Sequence, residues 1–89
     1  MAWTIELSDD AKQDLRKLDA QHARRILNFL YERVAKLVNP RSIGKPLQGP
    51  RLGEYWRYRA GDFRILCKIE DNRVIVLVLR VGHRREIYR

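Results

Sequence analysis

The side chains in this sequence best suited to chemistry are arginines, and they gather in its second half. Residues 41–89 carry twelve Lys/Arg against five Asp/Glu, whereas residues 1–40 carry seven against six, and ten of the twelve later cations are Arg. A guanidinium stays charged at all accessible pH and offers a planar fork of donors that matches phosphate oxygens, which lysine does not. Alternation along 63–70 puts Phe63, Ile65, Cys67 and Ile69 on one face of a strand and Arg64, Leu66 and Lys68 on the other. In the preceding strand Arg57 and Arg59 share a face, with Trp56 and Tyr58 on the reverse, so cations of neighbouring strands can converge. The run His83-Arg84-Arg85-Glu86-Ile87-Tyr88 follows the last strand beside the same sheet edge. Its His83 is the one residue here whose ordinary pKa lies near neutrality. Net charge +8 and pI near 10.3 agree with a polyanionic partner, an RNA above all.

Other chemistries find little support. Asp62, Glu70, Asp71 and Glu86 are scattered over turns and strand ends, so no carboxylate pair is spaced for a two-metal nuclease, and neither a metal nor another cofactor is expected. The lone Cys67 cannot form an internal disulfide and sits in an apolar pattern that reads as packing; His22 reads likewise as a plain helix residue. Trp56 and Tyr58 suit either base stacking or core anchoring. The N-terminus lacks the order of a signal peptide, and the longest apolar run, Val74 to Leu79, is far short of the roughly 18 residues that span a bilayer. A cytoplasmic protein with no membrane partner is expected.

These residues need a scaffold. Eighty-nine residues make one domain, 1–89, and a domain of this size buries roughly 60% of its unfolded surface. Trp3, Ile5 and Leu7 alternate as a strand. Ser8, then Asp9 and Asp10, mark a helix start, and Ala11, Leu15 and Leu18 carry that helix over residues 9–18. Asp19 caps a second helix whose apolar stripe runs Ala23, Ile26, Leu27, Leu30, Val34, Leu37, Val38 until Asn39-Pro40 stops it. The Lys and Arg of both helices lie mostly opposite the stripe and need no functional explanation. From Pro40 to Gly53 the chain reads as an irregular loop carrying Arg41, Lys45 and Arg51. Strands follow at Tyr55–Arg59, Phe63–Glu70 and Arg73–Val81, joined by turns at Ala60-Gly61-Asp62 and a tight hairpin at Asp71-Asn72. The last is so uniformly aliphatic that it should be central and covered on both faces. The expected fold is α+β, βααβββ, a mostly antiparallel sheet with a helical hairpin on one face.

Three segments, Leu47-Gln48-Gly49, Tyr55-Trp56-Arg57-Tyr58-Arg59 with Gly61-Asp62-Phe63-Arg64-Ile65, and Val81-Gly82-His83-Arg84-Arg85-Glu86-Ile87-Tyr88, follow a helical hairpin in an order that resembles the RelE branch of the RelE/ParE toxin superfamily. The likeness covers essentially the whole chain. It implies the toxin of a type II toxin–antitoxin pair that enters the ribosomal decoding site and cleaves mRNA without metal, restrained by a cognate antitoxin, here an acidic one. It also implies that Arg64 and Arg84 contact the scissile phosphate and stabilise its transition state, and that Tyr88 matches the family's C-terminal tyrosine. Arg57 falls near the position of a family lysine. Arg59, Lys45 and Arg51 have no secure counterpart and read as cations that hold the RNA backbone, with Arg85 a charged neighbour on the same tail. RNA can be cut by its own 2′-hydroxyl if the linkage is held in line and the added negative charge is neutralised, and two arginines suffice to clamp one phosphate. Arginine cannot move the proton, so His83 and Tyr88 are the candidate carriers. The same fold also serves ParE-type poisons of DNA gyrase, and a plain RNA-binding module would share the charge pattern.

Overall fold

The computed structural model describes residues 2–47 and 55–83. Strand β1, Thr4–Leu7, is followed at once by helix α1, Asp9–Arg16. Ser8 makes that junction: its Oγ accepts the Ala11 N–H at 3.1 Å and donates to the Leu79 carbonyl at 2.9 Å, tying the helix start to the far end of the chain. Ala11 and Leu15 are the buried face of α1. Helix α2, Ala20–Asn28, does not continue as one α-helix to Val38. It widens into a π turn at Phe29–Arg33 and tightens into a 3-10 turn at Val34–Lys36, after which Leu37 is extended. The apolar stripe holds through these changes, since Ile26, Leu30 and Val34 are all fully buried. Packing of the stripe, rather than uniform hydrogen bonding, keeps the segment helical.

The sheet has five strands, in order β1-β5-β4-β3-β2, with β2 Lys45–Pro46, β3 Tyr55–Ala60, β4 Phe63–Glu70 and β5 Ile75–His83. Strand β1 runs parallel to β5, and the other pairs are antiparallel. The α+β order and the helical layer on one face are as read from the sequence; β2 is an addition. It forms where an irregular loop is expected, and its Pro46 is tolerated because β2 is a two-residue edge strand. The β4–β5 connection also departs from a tight Asp71-Asn72 hairpin. A 3-10 turn, Asp71–Arg73, is followed by Val74 at φ 54°, a left-handed conformation held by the Val74 N–H bond to Asp71 O and the Thr4 N–H bond to Val74 O.

Strand β5 is an inner strand, as its composition suggests, and among the described residues its two faces are covered unequally. Val76, Val78 and Val81 are buried beneath the helices, while on the reverse face Ile75 is buried, Leu77 and Leu79 are half-buried and Arg80 is exposed. A bulge shifts its phase: Cys67 pairs with Val78 but Leu66 with Arg80, leaving Leu79 as the extra residue. Beyond the bulge, Val81 and His83 therefore share the helix-side face with Val76 and Val78.

Because β1 is shorter than β5, the Val81 N–H lies beyond the end of its neighbour. Asp14 of α1 takes its place, accepting from Val81 N at 2.9 Å and from Arg80 Nε at 2.9 Å. Burial pushes the Asp14 carboxyl upward, yet the Arg80 and Val81 hydrogen bonds, with the charges of Arg80 and Lys17, hold it below its ordinary value. Among the described residues no helix is long and apolar enough to cross a membrane.

Candidate nucleic-acid interface

The strand registers decide which cations meet. Lys45 lies opposite Arg57 across β2–β3, Arg57 opposite Leu66, and Arg59 opposite Arg64 across β3–β4. Tyr58, Ile65, Cys67 and Ile69 point into the core, so alternation turns Arg57, Arg59 and Arg64 to the reverse side. Arg64 faces Gly82 on its other flank, where no side chain competes for space. Like charges directly opposite in a sheet are destabilising, which makes the Arg59–Arg64 pair a feature that folding alone does not favour.

Since β2 pairs only as far as Arg57, the rest of β3 has no strand partner on that side among the described residues, and a groove of about 450 Å³ lies there. Its lining combines Phe29, Ile43, Gly44 and Tyr58 with five cations, Arg33, Lys45, Arg57, Arg59 and Arg64, and among the described residues with no acidic side chain. Among the described residues these five enter no ion pair, although Lys36, Arg41, Arg73 and Arg80 each do. Among the described residues, the one side-chain hydrogen bond that the groove cations make is a long one, Arg59 Nε to Gly61 O at 3.5 Å. Such a surface concentrates anions.

The segment carrying Lys45 is pinned by the two aromatics of β3. Tyr58 is 1% exposed and donates its hydroxyl to Pro40 O at 2.6 Å; Trp56 Nε1 donates to Ile43 O at 2.8 Å. Burial pushes the Tyr58 hydroxyl well above its usual range, which keeps it a neutral donor. Gly44, at φ +82°, packs so closely on β3 that a Cβ would fall on the Arg57 carbonyl oxygen and 2.6 Å from Trp56 Nε1. Of the two roles open to Trp56 and Tyr58, anchoring is the one the structure displays. Cys67 is buried in the core, and burial pushes its thiol up, away from reactivity.

The structure therefore brings Lys45, Arg57, Arg59 and Arg64 together. It does not bring His83 to them. His83 pairs with Phe63, its ring edge-on at 5.8 Å, on the helix-side face, and lines a different groove with Asp14, Lys17 and Leu18. The β5 bulge is the reason, and no residue type in the sequence announces it. The His22 ring meets the same Phe63 at a tilt of 50°, with centroids 5.0 Å apart. Arg51, Arg84, Arg85 and Tyr88 lie outside the described residues. Arg33 is the groove cation that the sequence reading passed over as an ordinary helix residue. Among the described residues no three His, Cys, Asp or Glu side chains are grouped as a metal site would need.

Residues 5–88 match the family model described as the ParE toxin of the type II toxin–antitoxin system parDE. The chain is 33% identical over 89 residues to toxin RelG of Mycobacterium tuberculosis, covering 100% of this chain and 99% of that one. Its fold is similar to that in the toxin–antitoxin complex RelBE2 of M. tuberculosis, with TM-score 0.85, 29% identity, and coverage of 97% and 95%. It is similar also to the archaeal RelE–RelB complex of Pyrococcus horikoshii, with TM-score 0.73, 22% identity, and coverage of 97% and 99%.

Proposed function

The chain belongs to the ParE toxin family of type II toxin–antitoxin systems and resembles its RelE members, and from that premise we propose that it is a ribosome-dependent endoribonuclease that stops translation by cutting mRNA in the decoding site. The observation that carries this reading is the groove at the β3 edge, where five cations gather with no acid and no ion pair among the described residues. A gyrase poison has no chemical need to concentrate unpaired guanidinium groups around one nucleotide-sized groove. A phosphodiester passing through a more highly charged state does.

In the proposed reaction the 2′-oxygen loses its proton and attacks the adjacent phosphorus, and the 5′-oxygen leaves and takes up a proton, giving a cyclic 2′,3′-phosphate and a 5′-hydroxyl end. Arg64, joined by Arg84, neutralises the charge added at phosphorus; Arg57, Arg59 and Lys45 hold the flanking backbone in line, with Arg51 and Arg85 as further backbone cations. With His83 turned to the other face of β5, proton transfer falls to Tyr88 in this reading. An acidic antitoxin segment laid over the groove would silence the protein by occupying the phosphate positions. The protein would meet its ribosomes in the cytoplasm.

The deciding experiment is cell-free translation of a reporter followed by mapping of 5′ ends. Cleavage is expected only in messages under translation, and Arg64→Ala should lower it more than about ten-fold, or 1.4 kcal/mol of lost transition-state stabilisation. Uncut mRNA on active ribosomes would overturn the proposal. The family description names ParE, which favours a second reading as a gyrase inhibitor; inhibition of supercoiling without RNA cleavage would select it.

A further inference from the structure

We infer that Arg33 is an additional RNA-binding residue, delivered by the π turn to the helix side of the groove, where it grips a phosphate other than the one at Arg64. The inference rests on reading the groove as an RNA site, and it concerns a residue that belongs to no strand of the sheet.

Arg25, Phe29 and Arg33 stand four residues apart. In an α-helix each residue advances about 100°, so four carry a side chain roughly 40° past a full turn, and eight carry it roughly 80°. A π turn closes i→i+5 bonds with about 4.4 residues per turn, so four of its residues fall roughly 30° short of a full turn. One α step from Arg25 to Phe29 and one π step from Phe29 to Arg33 thus nearly cancel, and Arg33 returns to the face of Arg25.

That face is aimed at β3. The Arg25 guanidinium lies over the β3–β4 turn, 3.2 Å from where a Gly61 Cβ would stand. The Phe29 ring meets Tyr58 edge-on at 6.0 Å. Arg33 completes the row in the groove with Lys45 and Arg57. Without the π turn the helix would carry Arg33 away from the groove.

The local charges leave Arg33 available. Its neighbour Glu32 is taken by Lys36 at 2.7 Å, and among the described residues no carboxylate pairs with Arg33. An exposed guanidinium beside four other cations finds no counter-charge among the described residues, whereas a bound polyanion would satisfy all five. A groove of about 450 Å³ also has the size of sites that hold nucleotide-sized ligands. Because Arg33 faces the sheet cations across this groove, the phosphate it holds is a neighbour of the reacting one.

The test uses the intact chain and a single-stranded RNA methylated at its 2′-oxygens, which binds but cannot be cut. The slope of log affinity against log salt measures released counterions, at roughly 0.7 per phosphate contact for single strands. Arg33→Gln is expected to flatten the slope by about that amount, and Arg33→Lys to keep it. In the translation assay Arg33→Gln should raise the half-saturating protein concentration and leave the limiting cleavage rate within about two-fold, the mark of lost ground-state binding. An unchanged slope in Arg33→Gln, or an equal loss in Arg33→Lys, would overturn the assignment. A wild-type protein that leaves translated mRNA intact would instead overturn the nuclease reading, and the salt slope would still decide the role of Arg33.

Discussion

Replacing Arg59 by Gln should stabilise the protein and impair it, and the two effects have one origin. Arg59 lies directly opposite Arg64, so their Cβ atoms are about 5 Å apart. Two unit charges roughly 8 Å apart repel by about 0.5 kcal/mol in a water-like dielectric, within the range of about 0.2–1 kcal/mol for cross-strand pairs. The substitution also removes the contact to Gly61 O, but at 3.5 Å on an exposed carbonyl that bond is marginal. Glutamine keeps much of the aliphatic stem, so a net gain of about 0.5 kcal/mol is expected, or roughly 2–4 °C in Tm for a domain of this size. The gain should fade in 1 M salt, where the Debye length shrinks to about 3 Å. Cleavage of translated mRNA should fall about ten-fold, for loss of a charge-assisted phosphate contact. Calorimetry at two salt concentrations and the translation assay read the two halves separately. A lower Tm, or a gain that persists in 1 M salt, would refute the electrostatic account of the groove; a stabilised variant that cuts at the wild-type rate would remove Arg59 from the RNA track.

Three further substitutions test the scaffold. Gly44→Ala forces φ +82° on an L residue and drives a methyl into β3, so a loss of about 3 kcal/mol in urea unfolding is expected; less than about 1 would show that β2 does not pack as described. Asp14→Asn should cost about 1–2 kcal/mol at neutral pH. Because the Asp14 carboxyl titrates below its ordinary value of 3.8, its contribution is complete above that pH and is lost as pH falls through the lower folded value. Urea midpoints of wild type and variant should therefore converge on acidification below about pH 4, and parallel curves would contradict the Asp14–Val81 link. Val74→Asn should raise stability by about 1 kcal/mol, since asparagine accepts the left-handed conformation that a β-branched residue resists; a destabilised variant would mean that the Val74 side chain matters more for packing than its backbone does for strain.

Much of this architecture is legible in residue patterns because it follows from burial. The Ser8 cap, the stripe through Ile26, Leu30 and Val34, and the alternation that sets Arg57, Arg59 and Arg64 against Tyr58 and Ile65 are each dictated by which side chains leave water. The features that escape are those in which one residue is added to a period. The β5 bulge at Leu79 moves His83 from the arginine face to the Phe63 face, and the π turn brings Arg33 into a groove that a regular helix would miss. Both depend on packing across the whole sheet. Gly44 hides in the same way: within a stretch rich in Gly and Pro it reads as loop chemistry, while its purpose is the close seat of Lys45 beside Arg57. The turn after Asp71-Asn72 illustrates competing preferences, since the residue forced to the left-handed region is Val74, the poorest candidate of the four.

The parallel pairing of β1 with β5 bears on when the protein can act. Thr4 pairs with Ile75, and Ser8 bonds Leu79 across 71 residues, so the first and last strands of the sheet close it together. Contacts of such long range cost loop entropy before they yield any stability, and they slow folding. During synthesis, at roughly 5–20 residues per second, β1 emerges first and must wait for the strand that will flank it, and the β3–β4 hairpin likewise waits for its inner neighbour. Strand order thus imposes a delay at birth: the sheet that carries the cationic groove is completed only once β5, which lies between β1 and β4, has been made.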